Sequence, residues 1–270
     1  MDLSIIIVNY KTKGLLLDCL DAIYDHQPMP VNFEVIVVDN ASSDGSVEAV
    51  AATFNQVKLI VNEDNLGPAK AINKGLRIAR GRYILLLSPD IIFSSKVFIK
   101  MIEFMDSHHE AGASAPLLLD LDEVARPLYG RLPTIISHFS RLSGIRKIIP
   151  DRLVKKCHMK IDTACDFMPM DWLMSACLMF RKEVLKKTGD MDENFFFYFE
   201  DMEFSYRLKD NGWKLYLIPK ISVIHIQHQG IKLMPEKDRR ALYRKSVAYF
   251  YYKRWIKNYF GKNLEKSILK

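Results

Sequence analysis

Short β-branched runs alternate with helical patterns along the first 110 residues, and this alternation limits the fold more than any other feature of the sequence. Leu3–Val8 and Phe33–Val38 are nearly unbroken apolar runs, with a helical pattern at Leu15–Tyr24 between them. Similar runs follow at Val57–Val61 and Tyr83–Leu87. Strands that are apolar along their whole length are typical of parallel sheets covered on both faces. The sequence therefore predicts an α/β fold with an open, mostly parallel central sheet flanked by helices.

The chain is long and apolar enough to bury a sizeable core. It has 270 residues, of which 49% are hydrophobic, so one large domain or two lobes are expected. Its four cysteines form no CxxC pair, which favours buried thiols in a reducing cytosol over a disulfide framework. No basic leader precedes the first apolar run, and no apolar run reaches the roughly 20 residues that span a bilayer. We therefore expect a cytoplasmic protein that contacts membranes only peripherally.

The positive charge of the chain is concentrated at its C-terminus. From Glu236 to Lys270 there are eleven Lys or Arg and three Asp or Glu, whereas the whole chain has a net charge of only +7. The body is thus nearly neutral, and we expect no nucleic-acid partner. A helical wheel places these apolar residues on one arc of the tail: Leu242, Tyr249, Tyr252, Ile256, Tyr259 and Phe260. The tail either binds anionic lipid headgroups at the membrane or packs its aromatic residues on the rest of the protein.

Polar and small residues gather where the predicted strands end. In open α/β sheets ligands bind outside the carboxyl ends of the strands, so these positions form one candidate nucleotide-binding crevice. Each motif also has an ordinary structural reading, as a helix N-cap, as close helix packing or as a proline-fixed turn. The candidate residues are Asn9, Tyr10, Asp39, Asn65, Gly67, Asn73, Ser88 and Asp90.

Two adjacent carboxylates, Glu200 and Asp201, follow five aromatic residues at positions 195–199. So many aromatic side chains are not left in water, so the acidic pair is held against an apolar wall. Helical spacing from Asp201 to Leu208 predicts a helix that ends near Gly212. The amides and dipole of its first turn favour a charged group, which predicts that Asp201 is ionised at neutral pH.

Two short strands are predicted after this helix, at Trp213–Ile218 and Ile221–Ile226, with a break at Pro219. The second strand carries His225 near its end. A divalent ion that bridges two phosphate oxygens needs only one or two protein carboxylates, with water completing its shell. Asp90 is therefore a candidate ligand for Mg²⁺ or Mn²⁺, and His225 is a candidate second ligand. The alternatives are a turn aspartate and a structural histidine.

Two phosphate-binding motifs are absent from the sequence. No GxGxxG follows the first strand, and no GxxxxGK[ST] occurs anywhere. Dehydrogenases and P-loop NTPases are therefore disfavoured, whereas a nucleotide held through a metal ion remains possible.

Five motifs in order resemble the family 2 glycosyltransferases with a GT-A fold, and within them a bacterial rhamnosyltransferase-like branch. They are SIIIVNY, VDNASSDGS, NEDNLGPAKAINKGL, LLLSPD and the stretch from DWLMSAC to SVIH. The resemblance covers residues 3 to about 230, except most of 120–165. It implies a Rossmann-like catalytic domain at 1–235, with a nucleotide-binding half at 1–115 and an acceptor half at 116–235 that contains a variable insertion near 120–165. A basic helical tail follows at 236–270.

The resemblance also implies a reaction. An inverting transferase would move rhamnose or another hexose from a dTDP- or UDP-sugar to a hydroxyl of a glycan, or of a polyprenyl-diphosphate-linked glycan, in surface polysaccharide synthesis at the inner face of the membrane. By the same resemblance, Asp39 contacts the base, Asp90 holds Mg²⁺ or Mn²⁺ with His225 nearby, and Asp201 is the general base with Glu200 beside it as an acceptor contact.

The resemblance further implies that Asp171 and Trp172 line the donor-sugar and acceptor side. The chain departs from the family pattern at three positions: Ser88 where an acidic residue or Asn is often found, Pro68 where an aromatic residue is common, and Ser175 in place of a usual Gly. These departures bear on the identity of the donor sugar more than on the fold.

Two other functions remain as alternatives. A nucleotidyltransferase that makes NDP-sugars would carry a Gly-rich basic loop after the first strand, where this chain has only Gly14. A catalytically silent module that binds membranes or nucleic acid through its tail would need neither the acidic pair nor the polar strand ends. The glycosyltransferase interpretation requires that Asp90 and Asp201 face one cleft.

Overall fold

The structure is a computed structural model that describes residues 1–24, 31–94, 96–125, 129–130, 161–226 and 234–257. Most of the predicted insertion near 120–165 therefore lies outside the described residues. The elements in chain order are β1 Leu3–Asn9, α1 Lys13–Tyr24, β2 Phe33–Asp39, α2 Ser46–Thr53, β3 Lys58–Val61, α3 Pro68–Ile78, β4 Tyr83–Leu87, β5 Ile91–Ile92, α4 Lys96–Ser107, β6 Ala111–Leu119, β7 Tyr129–Gly130, β8 Met168–Met170, β9 Trp172–Leu173, β10 Cys177–Arg181, α5 Leu185–Thr188, α6 Glu200–Asp210, β11 Lys214–His225 and α7 Glu236–Tyr251.

A nine-stranded sheet organises the described residues, with the order β3-β2-β1-β4-β10-β6-β11-β5 and with β8 paired to β11. Strands β3, β2, β1 and β4 are parallel, as are β6 and β11. Strand β10 runs antiparallel between β4 and β6 and joins the two parallel groups. The predicted α/β architecture with a mostly parallel sheet is confirmed, although the antiparallel strand that links its two parts was not predicted.

Strand register brings the polar strand ends to one edge of the sheet. Asn9 at the end of β1 is opposite Asp39 at the end of β2, and Ile7 is opposite Leu87 at the end of β4. Ser88 therefore begins just beyond the same edge. Burial supports this arrangement, because β2 and β4 are buried almost throughout.

Helix α3 packs unusually close to β1 because of a glycine. A Cβ atom on Gly75 would lie 2.7 Å from Cγ2 of Ile6, which is closer than real Cβ contacts. The small residues that the sequence places on this helix, including Ala69 and Ala71, are fully buried against the sheet. This close contact holds α3 directly against β1.

Strand β11 corrects the prediction of two separate strands around Pro219. The chain continues as one strand from Lys214 to His225, and its pairing with β6 shifts register between Ile218 and Ser222. Proline has no N–H to donate to a ladder, so it is tolerated where regular pairing is interrupted. Pro116 of β6 lies opposite Ile218 at the same irregularity. The strand therefore bends there without ending.

Helix α7 lies on the body of the protein and continues as a wider π-helical turn at Tyr252–Lys257. Val247 and Phe250 join a second hydrophobic cluster, separate from the main core, whose other buried members are Phe195, Phe199 and Met202. Of the residues on the predicted apolar arc, Tyr252 is 52% exposed. Tyr249 does pack against the cluster, while the side chain of Ile256 and residues Tyr259 and Phe260 lie outside the described part.

Among the helices of the described ranges, we find none with both the length and the apolar character needed to cross a bilayer.

Candidate active site

A cleft of about 510 Å³ opens at the carboxyl ends of β1 and β4. Asp90 and Asp201 both line it, so the two acids share one cleft, as the sequence interpretation requires. Its apolar wall includes Phe196, Phe197 and Tyr198 from the aromatic run. The other predicted site residues that line it are Tyr10, Asn65, Ser88, Glu200 and His225.

Asn9 and Asp39 lie behind the cleft and shape it. Asn9 is fully buried, and its Nδ2 donates to Oδ2 of Asp39 at 2.8 Å and to Oγ of Ser42 at 3.1 Å. The other carboxylate oxygen of Asp39 accepts the backbone N–H of Ser42 at 2.8 Å. These bonds close the turn after β2 and present Asn40 to the cleft, which is the structural role that the sequence left open for Asp39.

A network of amide side chains forms the cleft wall next to this turn, and it joins the predicted site residue Asn65 to Asn40 and Asn62, which were not predicted. Asn40 donates to Oδ1 of Asn65 at 2.8 Å, and its own Oδ1 accepts from Nδ2 of Asn62 at 3.0 Å. Oδ1 of Asn65 also accepts the N–H of Gly67 at 3.0 Å. Gly67 has φ +78°, and a Cβ there would lie 2.3 Å from the carbonyl oxygen of Phe196. Glycine is therefore required where the aromatic loop touches the start of α3.

Asn73 does not reach the cleft, so its predicted contact with a nucleotide is not supported. Its Oδ1 accepts the N–H of Met191 at 2.9 Å, and its Nδ2 donates to the carbonyl of Met191 and to Oε1 of Glu193, both at 2.9 Å. The side chain is buried and used fully in these bonds. Asn73 instead fastens α3 to the segment that leads into the aromatic loop.

Asp171 and Trp172 also lie away from the cleft. Asp171 pairs with the ammonium group of Lys209, and the Trp172 ring packs against the second hydrophobic cluster. Residues 174–176, only a few positions later, line the cleft in their place. The short strand β9 and the turn after it decide which part of this segment faces the cleft, and local sequence pattern does not reveal that choice.

The acidic pair starts helix α6, as predicted, but in an unusual backbone setting. Tyr198 and Phe199 have φ values of +69° and +70°, in the left-handed region that L side chains rarely adopt. Glu200 is 7% exposed, and its Oε2 has no hydrogen-bond partner among the described residues. Asp201 is half-buried at the cleft; its Oδ1 accepts from its neighbour's N–H, that of Met202, at 2.7 Å.

The two carboxyl groups bind protons more tightly than usual. Burial, together with the charge of Asp201, raises the pKa of Glu200 to about 8. Burial raises the pKa of Asp201 to about 6, against the hydrogen bonds from the N–H groups of Met202 and Ser175. At neutral pH the expected state is one carboxylate, on Asp201, and one carboxylic acid, on Glu200. The sequence prediction that Asp201 is ionised agrees with this state, but burial makes it a stronger base than the helix terminus alone would.

Two side chains contact the same carboxylate oxygen of Asp90. The Ser88 hydroxyl donates to Oδ1, and Nε2 of His225 lies 3.3 Å from the same atom. Burial opposes ionisation, but His225 and Ser88 outweigh it and hold the pKa of Asp90 below its ordinary value. Nδ1 of His225 is buried without a partner in the described part of the chain.

The donor set at Asp90 fits a divalent cation that takes most of its ligands from elsewhere. The described residues contain no group of three Asp, Glu, His or Cys side chains able to hold a metal by themselves. An ionised carboxylate beside an imidazole suits Mg²⁺ or Mn²⁺ when diphosphate oxygens and water complete the shell.

Comparison with known proteins agrees with this geometry. The family model described as glycosyl transferase family 2 matches residues 4–189. The N-acetylglucosaminyl-diphospho-decaprenol L-rhamnosyltransferase of Mycobacterium tuberculosis is 24% identical over 206 residues, which cover 71% of this chain and 66% of that protein. Rhamnosyltransferase WbbL of Escherichia coli K12 is 25% identical over 189 residues, with 69% and 68% covered. The chain thus spans just under two thirds of the first of these relatives.

Solved structures share the fold. A mannosyltransferase from Pyrobaculum calidifontis in complex with GDP-Man and Mn²⁺ has a TM-score of 0.63 at 17% identity, covering 93% of this chain and 63% of that chain. TarS 1–349 from S. aureus in complex with UDP has a TM-score of 0.58 at 17% identity, covering 83% and 60%. At this level of identity the similarity shows the fold alone.

Proposed function

Because this chain belongs to glycosyl transferase family 2 and has the GT-A fold, we propose that it is an inverting glycosyltransferase of surface polysaccharide synthesis. The donor is a nucleoside diphosphate sugar, dTDP- or UDP-linked, with rhamnose as the first candidate. The acceptor is a hydroxyl of a glycan linked to polyprenyl diphosphate. The names of the two rhamnosyltransferase relatives support these substrates. The observation that carries the proposal is the shared cleft of Asp90 and Asp201.

Asp201 is the general base in this proposal. Its carboxylate takes the proton of the acceptor hydroxyl while the hydroxyl oxygen attacks the anomeric carbon from the face opposite the diphosphate, which inverts the configuration. A base is most effective when its pKa is near the working pH, and burial moves the pKa of Asp201 in that direction, to about 6. The N–H groups of Met202 and Ser175, at 2.7 and 3.4 Å, orient the carboxylate.

Glu200 holds the acceptor. With its pKa raised to about 8 by burial and by Asp201, it keeps its proton at neutral pH and can donate a hydrogen bond to a sugar hydroxyl. Its buried Oε2 lacks a partner among the described residues. A buried oxygen without a partner carries a desolvation cost that an acceptor hydroxyl would relieve.

Asp90 and His225 would hold a Mg²⁺ or Mn²⁺ ion at the diphosphate end of the cleft, with Ser88 orienting Asp90. When bound, such an ion neutralises the charge that grows on the leaving diphosphate. The complex of the mannosyltransferase neighbour with Mn²⁺ supports a divalent cation.

The nucleotide lies in the half formed by residues 1–115. Tyr10, Asn40 and Asn65 line that part of the cleft, with Asn9 and Asp39 fixing the turns behind them. The faces of the base and ribose would pack against Tyr10, and the amide side chains of Asn40 and Asn65 would bond to their polar edges.

We place the enzyme at the cytoplasmic face of the membrane, where a lipid-linked acceptor is found. Because Val247 and Phe250 pack on the body, lipid contact through 236–270 would use the exposed basic residues on the outer face of α7, together with Tyr252 just beyond the helix.

A thermal-shift panel tests the proposal. A ligand that binds only the native protein raises its melting temperature, so dTDP, UDP, GDP and their sugars are compared with and without Mn²⁺ or Mg²⁺. We expect a shift with dTDP or UDP that needs the metal, followed by transfer from the matching sugar to a short-chain polyprenyl-diphosphate N-acetylglucosamine. No shift with any nucleotide would contradict the proposal, and pyrophosphate release from an NTP and a sugar phosphate would favour a nucleotidyltransferase.

A further inference from the structure

The loop that leads into the acidic pair has a backbone that needs support. Tyr198 and Phe199, at φ +69° and +70°, directly precede Glu200 and Asp201. Left-handed conformations at two consecutive non-glycine residues persist only where surrounding contacts hold them. The same loop forms the aromatic wall of the cleft. Whatever holds this loop therefore also sets the position of the two carboxyl groups.

Helix α7 supplies contacts to the middle of this loop. The Ser246 hydroxyl donates to the carbonyl oxygen of Phe197 at 2.7 Å. The Phe250 ring packs on that of Phe199 with centroids 5.3 Å apart. These contacts belong to the second hydrophobic cluster, which is separate from the main core. The cluster therefore exists only through the meeting of α7 with the loop and the start of α6.

Lys253, just beyond α7, fastens both ends of the same loop. Its Nζ lies 2.6 Å from Oδ2 of Asp192, before the loop, and 2.6 Å from Oε1 of Glu203, in the first turn of α6. The side chains of Asp192 and Glu203 are only 9% and 6% exposed. Tyr249 donates to the same oxygen of Asp192 at 3.1 Å, and Arg207 binds Glu203 through Nε at 2.9 Å. The ammonium group of Lys253 thus links two carboxylates that lie on either side of the loop.

From this geometry we propose that Lys253 is a positioning residue for Asp201. By tying Asp192 to Glu203 it fixes where α6 begins, and so the angle at which the Asp201 carboxylate meets the acceptor hydroxyl. The role rests on the proposed function of Asp201 as the base. It assigns the tail a part in catalysis that does not depend on membrane binding.

The test compares Lys253→Met with Lys253→Arg, which keeps the charge, and with Lys100→Met, which changes an exposed lysine of α4. A misplacement of about 1 Å can cost on the order of 10²-fold in rate. We therefore expect Lys253→Met to lower kcat by about 10- to 100-fold while the Kd of the nucleotide identified in the thermal-shift panel changes by less than about 2-fold. Lys253→Arg should restore most of the rate, and Lys100→Met should match the wild type.

A second measurement does not need turnover. Hydrogen exchange in peptides that cover 195–203 should become faster in Lys253→Met and stay unchanged in Lys100→Met, because Lys253 links the two sides of that segment. If Lys253→Met fails to fold, Ser246→Ala removes one hydrogen bond to the loop and should show the same loss of kcat with nucleotide binding kept. Wild-type kcat and wild-type exchange in folded Lys253→Met would overturn the inference. If Lys253→Met speeds exchange at 195–203 but the wild-type protein transfers no sugar, the result would instead count against the proposed function.

Discussion

The two sides of the cleft are built in different ways. On the nucleotide side, β1, β2 and β4 end at one edge, and side chains such as Asn9 and Asn40 are bonded to their neighbours. On the acid side, the pair follows a left-handed stretch, and Glu200 keeps a buried oxygen without a partner in the described residues. The sheet holds the first side and α7 holds the second. Side chains whose hydrogen bonds are already made suit the part of the ligand that all donors share. A carboxyl oxygen without a partner suits the group that reacts.

The largest expected effect is on the acid side. Asp201→Asn keeps the shape of the side chain but removes the base, so kcat should fall by on the order of 10²–10⁴-fold. Nucleotide binding should stay nearly intact, because the nucleotide side does not depend on this carboxylate. Steady-state kinetics and calorimetry with the nucleoside diphosphate measure the two quantities. The exposed Asp190→Asn serves as the control, and full activity in Asp201→Asn would refute the assignment of the base.

The next effect is on the metal. Asp90→Ala removes the one carboxylate that Ser88 and His225 orient, so Mn²⁺ or Mg²⁺ should no longer strengthen donor binding. Loss of even an outer-shell partner of a ligand typically costs about 10- to 100-fold in metal affinity, so loss of the proposed ligand should cost at least as much. Calorimetry with and without the metal measures it. Affinity without metal should remain close to that of the wild type. A variant whose donor binding still responds to Mn²⁺ would show that the ion is held elsewhere.

The strand ends were predictable from sequence, and many of the side-chain partners were not. Apolar runs set β1, β2 and β4, and parallel strands place Asn9, Ser88 and Asp90 at one edge whatever the details. The bonds between Asn73 and Met191 could not be foreseen, because Met191 lies far along the chain. Which residues of α7 are buried could not be predicted for the same reason, since contact with the loop at 195–199 decides it. Local periodicity contains no information about such distant contacts.

In the proposed mechanism, the pH dependence of the reaction follows from the pKa of Asp201. Burial raises that pKa to about 6, so the base becomes protonated as the pH falls through about 6, and kcat/KM should drop by about tenfold for each unit below it. An ordinary aspartate would keep its activity to far lower pH. A pH–rate profile at saturating metal measures the acid limb. A profile that stays flat down to pH 5 would show that no base with a pKa near 6 takes part, and would contradict the role of Asp201.

On the nucleotide side, Asn40→Ala should cost stability as well as binding. The change leaves Nδ2 of Asn62 and the N–H of Leu66 without the oxygen that accepts them at 3.0 and 3.1 Å. Buried donors left without partners cost about 1–3 kcal/mol. Denaturant unfolding measures the loss, with exposed Asn55→Ala as the control. A variant as stable as the wild type would mean that the amide network is not rigid.

The smallest expected effect is a change in the pH dependence of stability when Glu200, on the acid side, is replaced. The pKa of Glu200 is raised to about 8 by burial and by Asp201, so the folded protein loses stability as the pH rises from the ordinary glutamate pKa towards 8. Glu200→Gln cannot ionise and should escape this loss. Its melting temperature should exceed that of the wild type by a few degrees at pH 9 and by little at pH 5. Exposed Glu63→Gln should show no such pH-dependent gain. Equal melting temperatures of Glu200→Gln and the wild type at pH 9 would mean that Glu200 has the same pKa in the folded and unfolded protein. The carboxyl groups of the acid side would then be as well hydrogen-bonded as the side chains of the nucleotide side.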